Sequence, residues 1–132
     1  MITCGIDIKS STCIFLVLKG SSDNFQIIDF PKKIEIKEAS DTDQIRDFLI
    51  QVTELFANLK PDQITIKKRL EKGKFAGGPS SFKIESLIQV ASQTPTSLIS
   101  GAELKRVKAK TITPKITKYQ EDAFYAAYSA LN

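Results

Sequence analysis

One aspartate in an otherwise apolar run is the first residue here whose type and position could do chemistry. Residues 2–9 alternate, so Ile2, Cys4, Ile6 and Ile8 share one face of a strand and Thr3, Gly5, Asp7 and Lys9 share the other. A carboxylate on a central strand is costly to bury unpartnered, and Gly5 on the same face leaves room beside it. Two uses fit Asp7. It can ligate a hard cation such as Mg²⁺, which takes oxygen donors, or it can accept turn hydrogen bonds from Ser10 or Ser11. Far along the chain, Glu121 and Asp122 fall in the first turns of a final predicted helix. Neighbouring helix residues point about 100° apart, so at most one of them can aim at Asp7. Both also suit a helix's first turn, where acids oppose the dipole. The chain has no histidine, which excludes imidazole-bound zinc and histidine-based triads.

A second group could hold an anion. Residues 73–79 form a glycine-rich loop in which Gly77 and Gly78 permit close backbone approach. A helix predicted to open at Ser80 or Ser81 offers free N–H groups. Lys72 and Lys74 add charge, with Lys68 and Arg69 just ahead. Phe75, set among these lysines, could stack on a base or anchor the loop. No Lys-Ser/Thr pair follows the glycines, so this is not a Walker A loop. A connector that needs glycine only for its backbone angles has the same composition.

These residues need a scaffold, and the composition supplies one. At 132 residues the chain has the size of a single domain, expected to span 1–132. Its 42% hydrophobic content is enough for a core. No stretch approaches the roughly 20 apolar residues that span a bilayer, and no basic segment precedes an apolar run at the amino terminus. Cys4 and Cys13 lie in apolar stretches, as small buried hydrophobes do. A cytoplasmic location is expected. Charge is uneven: residues 1–59 carry 6 basic and 9 acidic side chains, residues 60–132 carry 13 and 6. Residues 105–118 hold six cations and no acid, a pattern that suits a polyanion or an ordinary solvated face. No aromatics interleave with them to stack bases.

Periodicity predicts the order three strands, helix, strand, helix, strand, two helices. After residues 2–9, the run 13–18 is apolar on both faces, as in a strand covered on each side. Residues 25–36 read as one extended edge segment broken by Pro31. Asp41 with Gln44 makes a capping box ahead of the apolar stripe Ile45, Phe48, Leu49, Val52, Leu55, Phe56 and Leu59. Residues 63–68 form the fourth strand and 96–99 the fifth. Ser100 with Glu103, and Thr117 with Gln120, are further capping boxes. Short turns between the first strands imply an antiparallel meander, and the helical connections imply parallel pairing after it. The expected fold is α/β, a mixed five-stranded sheet of ribonuclease-H-like type with helices on both faces.

The opening Gly5-Ile6-Asp7-Ile8-Lys9-Ser10-Ser11 resembles the first strand of Holliday-junction resolvases and other ribonuclease-H-like proteins. The strings Lys72-Gly73-Lys74-Phe75-Ala76-Gly77-Gly78, Ser81-Phe82-Lys83 and Tyr119-Gln120-Glu121-Asp122-Ala123-Phe124 more closely resemble a bacterial family known as domain of unknown function 3010, along nearly the whole chain. That resemblance implies a resolvase-like fold and no assigned activity. In superfamily nucleases, carboxylates of the first strand, the fourth strand and the last helix hold paired divalent metals, which activate water and stabilise the leaving oxygen. Carried over, these positions are Asp7, then Glu71 reaching back, then Glu121 or Asp122. Glu121 matches the family string, and Asp122 followed by alanine matches the resolvase pattern. The chain departs from the pattern at the fourth strand, where it reads Lys67-Lys68-Arg69. A cation there, with Lys68 the expected one, repels a metal.

Three functions follow as expectations. The first is a nucleic-acid-binding or other phosphate-binding protein with an incomplete metal site, contacting its ligand through 67–74 and 105–118. The second is a Mg²⁺-dependent nuclease using Asp7, Glu71 and Glu121 or Asp122. The third is a protein-binding or assembly module, which an exposed apolar edge between Phe30 and Ile36 would favour.

Overall fold

The computed structural model describes residues 1–69 and 78–132. The elements are β1 (Ile2–Lys9), β2 (Thr12–Gly20), β3 (Phe25–Ile28), β4 (Lys33–Glu35), α1 (Thr42–Leu59), β5 (Gln63–Lys67), α2 (Pro79–Ala91), β6 (Thr96–Ile99), α3 (Gly101–Lys110) and α4 (Glu121–Ser129). A single 3₁₀ turn, Lys118–Gln120, leads into α4.

The strands form one mixed sheet in the order β3-β2-β1-β5-β6, with β4 also on β2. β1 runs antiparallel to β2 and parallel to β5, and β5 is parallel to β6. The sheet counts six strands where five are expected. The segment 25–36 is not continuous: β3 pairs with residues 17–20 of β2 and β4 with residues 12–14. Pro31 falls in the gap, where it has no ladder amide to lose, and Lys32 closes it with a carbonyl that accepts from Phe15 N at 2.9 Å.

Period-two alternation divides the core into two layers. On one face Cys4, Ile6 and Ile8 of β1, Cys13, Phe15 and Val17 of β2, and Ile64 and Ile66 of β5 pack beneath Phe48, Val52 and Phe56 of α1 and Ile84 and Ile88 of α2. On the other, Ile14, Leu16 and Leu18 pack beneath Leu104 of α3 and residues 123–127 of α4. The β2 core is buried on both faces, as its unbroken apolar run requires.

Caps fix the helix ends. Asp41 accepts from Asp43 N at 3.0 Å, while Gln44 reaches back to Glu38 N at 2.8 Å rather than to Asp41 N. Ser100 accepts from Glu103 N at 3.2 Å. α1 stops at Lys60, in left-handed backbone at φ 51° before Pro61. α2 differs from expectation: it begins at Pro79 with Gly78 as N-cap, ahead of Ser80 and Ser81. Proline at the first helical position explains the earlier start, since its fixed φ is already helical and its missing N–H is not needed there. β5 ends at Lys67, one residue before the expected boundary.

Candidate functional site

The Asp7 face of β1 is built for close approach by α4. Thr3, Gly5 and Asp7 all turn toward that helix, and Thr3 Oγ1 donates to Ala127 O at 2.9 Å. A Cβ placed on Gly5 would lie 1.8 Å from Ala123 O and 2.6 Å from Ala127 N. The helix backbone therefore lies directly on β1, which its small residues Ala123, Ala126 and Ala127 allow. This seating brings the first turn of α4 level with Asp7.

β5 supplies the third member. Gly5 is in register with Thr65 and Ile6 with Ile66, so the next step of the parallel ladder sets Lys67 beside Asp7 on the same face. Lys67 Nζ lies 2.6 Å from Asp122 Oδ2, both side chains about a third exposed. Asp7 is the buried member: its side chain is 3% exposed, and Lys9 Nζ is 3.7 Å from its Oδ2. Among the described residues, that Oδ2 has no hydrogen-bond partner. Neither Ser10 nor Ser11 donates a hydrogen bond to that oxygen.

Burial pushes the Asp7 carboxyl above its ordinary value of 3.8. Lys67 and Lys9 pull it down, and Asp122 pushes it up. Partial burial opposes the Lys67 ammonium, but the hydrogen bond to Asp122 and the charges of Asp7 and Asp122 outweigh that and raise it. The two shifts point to a tight charge cluster in which Lys67 stays an ammonium.

A stability test follows. With its carboxyl raised in the native state, Asp7 keeps a proton that the unfolded chain has lost, in the window just above the ordinary aspartate range. Stability therefore falls as pH rises through that window, and the deficit persists above it. Asp7→Asn, which mimics the protonated acid, is expected to melt a few degrees higher than wild type at neutral pH. The difference should vanish at pH below the ordinary aspartate value. Melting curves of both proteins across this range check it, and a lower neutral melting point for Asp7→Asn would contradict it.

The other sequence-predicted residues scatter. Glu121 is half-buried beside Asp122 and makes no ion pair among the described residues. Lys68 is exposed, with its amide bonded to Ile99 O at 2.8 Å. The cation at the carboxylates is Lys67, not Lys68. Strand alternation carries this signal, because Ile64 and Ile66 point to the α1 layer and force Thr65 and Lys67 to the other side. Arg69 turns away from Asp7: its guanidinium pairs with Glu85 of α2, donates to Lys67 O at 3.1 Å and lies 5.1 Å from the Phe82 ring centre. It is committed within the fold. The Ser81 hydroxyl is also committed, donating to Gly78 O at 2.7 Å, and the residue is buried. Ser80 is half-buried and Gly78 exposed. Glu71, Lys72, Lys74, Phe75 and Gly77 lie outside the described residues.

These neighbours do not fit a divalent metal. Two carboxylates, Asp7 and Asp122, face an ammonium that already neutralises one of them. Among the described residues no group of three or more carboxylate, thiol or imidazole side chains could hold an ion. Nor is there an apolar sheet edge at residues 30–36: Phe30 packs edge-on against Phe15 at 5.5 Å, Ile36 is buried and Ile34 half-buried. Among the described residues no helix is long and apolar enough to cross a membrane.

The basic segment is fully displayed. Lys105, Arg106, Lys108, Lys110, Lys115 and Lys118 are all exposed, and none makes an ion pair among the described residues. They lie on α3 and on the chain that follows it, in the helical layer that also carries Asp122.

The solved structures that share this fold include two of RuvC. RuvC of Thermus thermophilus superposes with a TM-score of 0.76 at 12% identity, over 98% of this chain and 92% of that one. T. thermophilus RuvC in complex with a Holliday junction substrate gives 0.73 at 12% identity, over 98% and 91%. No curated protein matches the sequence. The profile of the proteins of unknown function DUF3010 matches residues 1–130. With its mixed sheet, paired helical layers and RuvC-like superposition, the chain belongs to the DUF3010 family and has a ribonuclease-H-like fold.

Proposed function

We propose that this protein binds nucleic acid through the basic face of residues 105–118, aided by Lys68, without Mg²⁺-dependent cleavage. The observation that carries this reading is that residues 105–118 hold six exposed cations and no acid. A cation-rich face of this kind concentrates phosphate, and each phosphate contact releases condensed counterions. The likeness to a RuvC bound to a Holliday junction supports a branched nucleic acid as the first ligand to try. A single domain spanning 1–132, working in the cytoplasm where nucleic acid is accessible and the buried Cys4 and Cys13 stay reduced, goes with this reading. Mg²⁺ has no part in it, because Lys67 holds Asp122.

The test is binding to branched, hybrid and single-stranded substrates at several salt concentrations. Affinity is expected to fall steeply with salt, with a log–log slope of about −0.9 per phosphate contact on duplex arms. The triple variant Lys105→Glu, Lys108→Glu and Lys110→Glu should bind at least about tenfold more weakly at low salt, with a shallower slope. No binding at low salt to any substrate, or equal binding by the variant, would end the proposal.

A further inference from the structure

We infer that the Lys67 ammonium takes the place of a divalent cation between β1 and α4, so that removing it uncovers a cation site formed by Asp7 and Asp122. This does not rest on nucleic-acid binding; it rests on how the two carboxylates are held.

Asp7 is fixed by the strand and by burial, and its Oδ2 has no hydrogen-bond partner among the described residues. Asp122 is fixed by the first turn of α4, which the Gly5 contact seats on β1. With α4 seated on β1 at Gly5, the charge of Asp122 disfavours ionisation of Asp7, and like charges so placed repel each other unless positive charge lies near. Lys67 supplies it at 2.6 Å from Asp122, and its charge also draws on Asp7. Lys9 is the other cation facing this point, but its side chain is 56% exposed and can swing into solvent on its flexible stem. Lys67 also leaves from a strand end, but its side chain is 31% exposed and its ammonium is held 2.6 Å from Asp122 Oδ2. A hard divalent cation needs oxygen donors and negative charge. The site offers both, but it already contains a fixed cation.

Replacing the ammonium with a carboxylate therefore reverses the preference. Lys67→Asp places three acids around the gap, and Lys67→Gln leaves two with no positive charge from β5. The ligand class is Mg²⁺ or Mn²⁺, and the probe is Mn²⁺ alone, followed by paramagnetic resonance and by the melting temperature with and without Mg²⁺. Wild type should bind no stoichiometric Mn²⁺, and its melting temperature should be the same in Mg²⁺ and in chelator. Lys67→Asp should bind one or more Mn²⁺ ions at least about tenfold more tightly than wild type, and Mg²⁺ should raise its melting temperature. Adding Asp7→Asn to that variant should abolish the gain. Lys67→Gln, the milder change, should show the same metal-dependent melting shift to a smaller degree, and it serves if Lys67→Asp fails to fold. Two results would overturn the inference. One is stoichiometric Mn²⁺ binding by wild type that Asp7→Asn removes. The other is folded Lys67→Asp or Lys67→Gln protein with no metal response.

Discussion

Gly5→Ala is expected to leave little folded protein, and whatever folds should melt roughly 10 °C or more below wild type. The added Cβ would sit 1.8 Å from Ala123 O and 2.6 Å from Ala127 N, both backbone atoms of α4. No rotamer change can relieve a backbone clash, so the helix must lift from the sheet by more than an ångström. Overpacking a close-packed core costs about 1–3 kcal/mol and sometimes more. Here it also breaks the Thr3–Ala127 hydrogen bond and pulls Asp122 from Lys67. Against a total stability of about 5–15 kcal/mol, that loss is large. Gly101→Ala is the control: its Cβ meets nothing within 4 Å at the first position of α3, so it should be neutral or slightly stabilising. Parallel thermal melts decide the matter. A Gly5→Ala protein as stable as wild type would mean that α4 does not lie on β1 as described.

The second large effect concerns Arg69 and Glu85, a pair whose side chains are 8% and 18% exposed. Glu85→Ala leaves a buried guanidinium facing Phe82 without its acid. Removing one partner of such a pair costs about 3–5 kcal/mol, whereas replacing both by well-packed apolar residues is often neutral. Glu85→Ala is thus expected to destabilise the protein by about 3 kcal/mol, and Arg69→Met with Glu85→Leu to recover most of it. Urea titrations of Arg69→Met, Glu85→Leu and the double variant form the cycle that measures the coupling. Additive losses would show that the pair is not coupled.

Much of this architecture was legible in the residues. The alternation of Ile2, Cys4, Ile6 and Ile8 sets Asp7 on the opposite face, and the Asp41 cap with the stripe through Phe56 places α1. These patterns are local, and local patterns survive in sequence. The split of 25–36 into two strands was less visible, because Pro31 marks a break without saying that both pieces return to β2. At the candidate site, the sequence singled out Asp7, which the structure buries, and two neighbouring helix acids, of which Asp122 is the one paired with Lys67. It could not choose Asp122 over Glu121, since that depends on how far α4 slides along β1, which a single missing Cβ at Gly5 decides. Lys67 was within reach by counting alternately from Ile64, but the run of three cations at 67–69 drew attention to the wrong one. Arg69 shows why composition alone misleads: in sequence it belongs to a basic cluster, and in the fold its charge is spent on Glu85.

The contact between the first strand and the last helix also orders events in time. Thr3 meets Ala127 across 124 positions of sequence, so while the chain is being synthesised β1 can pair with β2 at once but waits for α4 until the residues between them have emerged. Until then Asp7 stays hydrated and ionised on an open sheet face. Its desolvation belongs to the final docking step, and acid conditions that protonate it in advance should speed that step.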